Sequence, residues 1–180
     1  NNCVYFKELK RSMDWLALQE GSMFVGQAVA VPGTAMSNTL VDVGVDKLLE
    51  MPVAEEMQMG LSIGLALDGY IPITVYPRWN FLLLAMNQLV NHLDKMKHIS
   101  NNGYKPKLII RTSIGSERPL HPQYQHVGDF TEAFKMIFED IDIIKLEEAK
   151  DIFPSYEYAF TRTDERSTLV VEFGDYYNEK

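Results

Sequence analysis

The chain has 180 residues, 46% of them hydrophobic and 23% charged, with 17 Lys+Arg facing 25 Asp+Glu for a formal net charge of −8. This length and composition suit one packed domain at the usual ~100–200 residues and exclude disorder as the main state. An acidic chain with no Lys/Arg cluster binds phosphate backbones poorly, so nucleic acid is excluded as an expected partner.

The predicted elements alternate between helix and strand. Residues 5–19 space Tyr5, Phe6, Leu9, Met13 and Leu16 as an amphipathic helix does. Met23-Phe24-Val25 reads as a short buried strand ending at Gly26, and Lys47-Leu48-Leu49-Glu50 as a weaker one. Pro52 suits a first helical position, with Glu55 and Glu56 complementing the dipole of a helix that stops at Asp68-Gly69. Ile71–Tyr76 is a β-branched strand, and Phe81 to about Lys97 reads as one long helix. Lys107–Thr112 is a buried strand, Phe130–Phe138 a helix and Ile141–Lys145 a strand. Glu147–Thr161 is predicted helical with an early break near Pro154, and Thr168–Phe173 is the last strand. Strands separated by helices imply an α/β, doubly wound, mostly parallel sheet with helices on both faces. Ligands in such sheets sit beyond the carboxyl ends of strands, so the loops after Val25, Glu50, Tyr76 and Thr112 are where function is expected.

No dinucleotide fingerprint, P-loop, G-x-S-x-G elbow, H-E-x-x-H or C-x-x-C is present. The one cysteine, Cys3, cannot form an internal disulfide or a cysteine-based metal centre. His121 and His126 lack a third placed ligand, so no metal site is expected on this chain. No run reaches the ~18 apolar residues of a membrane span, and no signal-peptide pattern opens the chain. A cytoplasmic protein without a membrane partner is the expectation. The chain opens Asn1-Asn2-Cys3 without Met, which leaves an upstream start open.

Two segments carry more than a fold class. One runs Met51-Pro-Val-Ala-Glu-Glu-Met-Gln-Met-Gly60-Leu-Ser-Ile-Gly64 to Asp68-Gly69. The other runs Ile71-Pro-Ile-Thr-Val-Tyr-Pro-Arg-Trp-Asn-Phe81 and continues to Lys95. With Ala85, Gln88, Asn91, Arg111, Gly115, Gln125-His126 and Glu172, they resemble the pyrimidine-binding domain of transketolase-like thiamine diphosphate enzymes. The likeness is greatest to the beta subunit of pyruvate dehydrogenase-type 2-oxo acid dehydrogenases, and it covers roughly residues 5–175.

The resemblance implies that this domain holds the aminopyrimidine of thiamine diphosphate. Glu55 is the residue implied to hydrogen-bond the pyrimidine nitrogen, favouring the tautomer that activates the thiazolium. Adjacent helical positions point ~100° apart, so Glu55 and Glu56 cannot both face a ligand. Phe81 would pack on the pyrimidine face, with Asn80 and Tyr76 completing the cofactor contacts and Trp79 a secondary wall residue. His126 would act on the substrate side, since imidazole is the usual proton shuttle near neutrality. His121 is a candidate second polar contact. Arg111 and Arg118 are candidates for an acidic substrate, with ion pairing as their ordinary alternative. Gly60 and Gly64, on one helix face, suggest close packing across a subunit contact.

The family's Gly-Asp-Gly…Asn motif for diphosphate and Mg2+ is missing. A single pyrimidine-binding domain over 1–180 is therefore expected, with no diphosphate-binding or C-terminal transketolase-type domain on the chain. An alpha-type partner subunit would hold the diphosphate and Mg2+, in a pair of heterodimers acting on a small-molecule substrate. Gln27 stands where such chains commonly carry an acid, and the loop before His126 is two residues longer than usual. These departures keep open a non-catalytic interaction or regulatory protein that retains the fold.

Overall fold

The computed structural model describes residues 4–179; Cys3 lies outside the described residues. The elements are α1 (Val4–Ala17), β1 (Ser22–Gly26), β2 (Leu48–Glu50), α2 (Glu55–Leu67), β3 (Ile71–Tyr76), α3 (Trp79–Leu82), α4 (Met96–Ile99), β4 (Ile109–Ile114), α5 (Thr131–Ile137), β5 (Asp142–Lys145), α6 (Ala149–Thr161), β6 (Thr168–Phe173) and α7 (Tyr176–Glu179). The six strands form one all-parallel sheet in the order β2-β1-β3-β4-β6-β5. The chain lays β2 on one side of β1 and returns to place β3 on the other. That reversal between β1 and β3 opens a crevice at the carboxyl edge of the sheet, where ligands bind in doubly wound folds.

Strand alternation sends side chains to two cores. Ile73, Val75, Ile109 and Val170 face α1 and α6, meeting Tyr5, Leu9, Met13, Leu16, Ile152 and Tyr156. Tyr76, Ile110, Leu169 and Val171 face the other layer, meeting Met59, Ile63, Trp79, Leu89 and Phe134. Each buried Leu or Ile contributes about 1.5–3 kcal/mol, so the two apolar layers hold the sheet from both sides.

Three sequence expectations need correction. Pro52 precedes α2 instead of starting it; the helix begins at Glu55, after Ala54 in a non-helical conformation. Pro154 does not break α6, which runs unbroken from Ala149 to Thr161. A proline so near the start removes one intrahelical bond, to the carbonyl of exposed Lys150, where water can replace it. The long helix expected from Phe81 is not a regular α-helix. After α3 it tightens into a 3-10 turn (Leu83–Ala85), widens into a π-helix (Asn87–Leu93) and is interrupted before α4. Ala85, Leu89 and Leu93 recur every four residues and are all buried. In an α-helix each four-residue step overshoots a turn by about 40°. The wider i→i+5 turn brings Leu89 and Leu93, the two within the π-helix, closer to one line toward the core.

Asp94 terminates this segment. Its buried carboxylate accepts the Lys95 ammonium at 2.8 Å and the N–H groups of Glu139, Asp140 and Ile141 at 2.9–3.3 Å. Glu50, at the end of β2, gathers the N–H groups of Ala28, Val29 and Ala30 at 2.6–3.0 Å and so shapes the loop after β1.

Candidate functional site

The carboxyl ends of β3, β4 and β6 and the 33–36 segment enclose a cleft of about 360 Å³. Arg78 and Phe81 line it from the turn after β3, Ser113 and Gly115 from the end of β4, and Tyr177 from α7. Gly115 is required here. A Cβ at this position would lie 1.9 Å from the His126 carbonyl oxygen, so only glycine lets the turn around His126 close over the end of β4.

Glu55 is the first residue of α2 and half-buried. Two contacts fix this helix end. The Gln58 side-chain amide nitrogen reaches the carbonyls of Val25 and Val75 and the Thr74 hydroxyl at 2.9–3.2 Å. Gly26 makes room, since a Cβ there would lie 2.6 Å from the Val75 oxygen. The Tyr76 hydroxyl points at the Glu55 carbonyl at 3.5 Å. Burial pushes the Tyr76 hydroxyl well above its ordinary value; a bond from Thr74 opposes this and the Glu55 charge adds to it. Tyr76 therefore stays a neutral donor.

The Glu55 carboxylate itself has no hydrogen bond and no cationic partner among the described residues. Neighbouring Glu56 is exposed and accepts Asn87 Nδ2 at 3.1 Å, so the two acids do diverge. Every other acid among the described residues that is not in the exposed class has a partner: Glu8, Asp14, Asp94, Asp140, Asp142, Glu172 and Asp175. Glu55 is the exception.

Phe81 and His126 come together, their rings edge-to-face with centroids 5.8 Å apart. His126 Nδ1 is buried without a partner. The Arg78 guanidinium lies over the Phe81 ring, 5.7 Å from its centroid. Asn80 Oδ1 accepts the N–H of Gly128 at 3.0 Å, tying the loop after His126 to the start of α3. Tyr76 is 1% exposed and Trp79 fully buried, against Phe130 and Phe134; neither lines the cleft. His121 sits apart, facing Glu117 and Tyr124. Gly60 approaches Gln88 of the same chain, and Gly64 has no atom within 4 Å of a Cβ position. The sequence did not single out Arg78 or Gln58.

Beneath the cleft lies a buried polar network. Arg111 donates from Nε and Nη2 to the two Glu172 oxygens at 2.7 and 3.1 Å, and from Nη1 to the Thr39 hydroxyl at 2.9 Å. Tyr156 donates to Glu172 at 2.5 Å, and Tyr177 donates to its other oxygen. Burial, then the Glu172 charge, push both tyrosines well above their ordinary value, with Arg111 opposing, so both remain O–H donors. Arg118 is likewise committed, to Glu179 and Asp175. Neither Arg111 nor Arg118 is free for a substrate.

Among the described residues no group of His, Asp and Glu side chains is placed to hold a metal ion, and no helix is long and apolar enough to cross a membrane.

No family model matches the chain. The pyruvate dehydrogenase E1 component subunit beta of Gracilaria tenuistipitata var. liui is 33% identical over 78 residues, covering 43% of this chain and 24% of its own length. The same subunit of Cyanidium caldarium is 28% identical over 123 residues, covering 66% of this chain and 38% of its own. The matches thus span 24 to 38% of the length of these relatives. A split-gene transketolase, solved as an inactive β4 tetramer, superposes with a TM-score of 0.68 at 15% identity, over 94% of this chain and 50% of its own. The resemblance read from the sequence is borne out: the relatives are E1 beta subunits, and the all-parallel α/β fold is that of the transketolase-like structure.

Proposed function

We propose that this chain is the pyrimidine-binding subunit of a two-chain thiamine diphosphate enzyme. Its reaction would transfer a two-carbon or acyl unit from a 2-oxo acid or a ketose phosphate. The observation that carries the reading is Glu55, a half-buried residue in the anchored first turn of α2 whose carboxylate has no partner among the described residues. Such a group can accept from a bound donor without giving up any protein contact.

The donor set fits the cofactor. Glu55, at the first turn of α2, would hold the proton shared with the pyrimidine nitrogen. Phe81, half-buried at the cleft, offers the apolar face on which an aromatic ring packs. His126 would take or give a proton at Nδ1, the atom that has no protein partner. Asn80, through Gly128, keeps the His126 loop in place. When bound, thiamine diphosphate supplies the nucleophilic carbon and electron sink that carbon–carbon cleavage needs.

The diphosphate and Mg2+ would fall to an alpha-type partner, in keeping with the missing motif and with the E1 beta and split-transketolase relatives. Exposed Met57, Leu61 and Leu84 beside open Gly64 offer apolar surface for such assembly, a pair of heterodimers being the proposed form. The test is gentle affinity purification from the native source, followed by assay with and without thiamine diphosphate and Mg2+. An equimolar partner carrying Gly-Asp-Gly…Asn, with cofactor-dependent turnover, is the expected result. A lone chain indifferent to the cofactor would replace this reading with the non-catalytic one.

A further inference from the structure

We infer that Arg78 anchors an anion site in the cleft, receiving a carboxylate or phosphate group of the small-molecule substrate. The chain has six arginines. Five are tied to acids: Arg11 to Glu8, Arg111 to Glu172, Arg118 to Glu179, Arg162 to Asp142 and Asp164, and Arg166 to Asp140 and Asp142. Arg78 has no ion pair and no hydrogen bond among the described residues. In a chain with 25 acids against 17 bases, carboxylates are not scarce, yet none is placed on this arginine.

The surroundings suit an anion. Arg78 is the one charged side chain lining the cleft. Asp175, the acid that follows the cleft wall at Gly174, is spent on the Ser116 hydroxyl at 2.6 Å and the N–H groups of Glu117 and Arg118. Arg78 is also held in place. Its guanidinium rests over the Phe81 ring. The aromatic ring positions the guanidinium without consuming its N–H donors. Those donors form a planar fork that matches a carboxylate or phosphate with two parallel bonds. The cleft's serine hydroxyls do not compete, since Ser113 donates to the Pro77 carbonyl at 2.7 Å and the single Ser116 proton is shared between Asp175 and the Arg118 carbonyl at 2.6 and 2.7 Å.

This inference deepens the thiamine diphosphate reading and rests on it for taking the anion to be part of the substrate. The site itself can be tested with neither cofactor nor partner, so the two can fail separately. The Arg78 Nε–H resonance of the full chain, assigned by its disappearance in R78Q, is followed by NMR at constant ionic strength. Sodium pyruvate, inorganic phosphate and uncharged methyl pyruvate are the probes. Saturable movement with pyruvate alone marks a carboxylate site, and with phosphate alone a phosphate site. Movement with both marks a shared oxyanion site. Methyl pyruvate should leave the resonance unmoved. In R78Q and R78K, which lack that Nε–H, the backbone amide of Phe81 is followed instead, as it is in wild type: R78Q should weaken the anion by about tenfold or more, and R78K, which keeps the charge and loses the fork, by less. An Arg78 resonance unmoved or non-saturating with both anions would overturn the proposal, as would equal affinity in a folded R78Q.

Discussion

Arg111 lies within β4 and Arg78 just past the end of neighbouring β3. Arg111 commits all three of its nitrogens, two to Glu172 and one to Thr39. Arg78 commits none, resting only on the Phe81 ring. The acids repeat the contrast. Glu172 receives Arg111 twice and both Tyr156 and Tyr177, while the Glu55 carboxylate receives nothing from the described residues. Buried polar groups in a folded protein are almost always satisfied from within. The saturated pair therefore belongs to the fold, clamping β4, β6, α6, α7 and the 37–40 turn together. The open pair is what the proposed function and the anion site assign to a ligand.

The largest effect expected from this contrast is on stability, beneath the cleft. Arg111→Met or Glu172→Met alone strands a fully buried charge and should cost about 3–5 kcal/mol in urea unfolding. The double variant R111M/E172M should recover part of that loss, because neither charge is stranded. Single costs below ~1 kcal/mol would mean that the network is not what holds these elements.

Asp94 extends the comparison to a third carboxylate and should have a smaller effect. Burial works to raise its pKa, but the Lys95 bond and three backbone N–H bonds outweigh burial and hold it below the ordinary value. Since the folded-state pKa is the lower one, its stabilisation is complete above the unfolded value of ~3.9 and is lost as pH falls through the folded value. Asp94→Asn should lose about 1.5–3 kcal/mol near neutrality, and its stability should fall less steeply than wild type below that ~3.9. Parallel acid limbs for the two proteins would remove Asp94 from the acid transition.

Much of the fold was legible because its strands are short β-branched runs between turn residues. The observed Ile71–Tyr76 and Thr168–Phe173 match their sequence readings residue for residue. The irregular segment after Trp79 was not legible, since its four-residue apolar spacing fits an α-helix loosely and a π-helix well. The site was legible in part. Glu55, Phe81 and His126 emerged through a resemblance, and the structure brings Phe81 and His126 into ring contact. Gln58 looks like any polar helical residue until β1 and β3 bring three acceptors to its amide. Arg78 was missed because its meaning lies in having no partner, which is a fact of tertiary structure and leaves no periodic trace.

The most direct test of the central claim reads stability and activity on one variant, Glu55→Gln. If Glu55 is an acceptor left open for the cofactor, the substitution should change unfolding free energy by no more than about 0.5 kcal/mol, since no protein bond is lost. The same variant, assembled with its partner, should lose thiamine diphosphate-dependent turnover. Turnover retained at the wild-type level with Glu55→Gln would contradict the account.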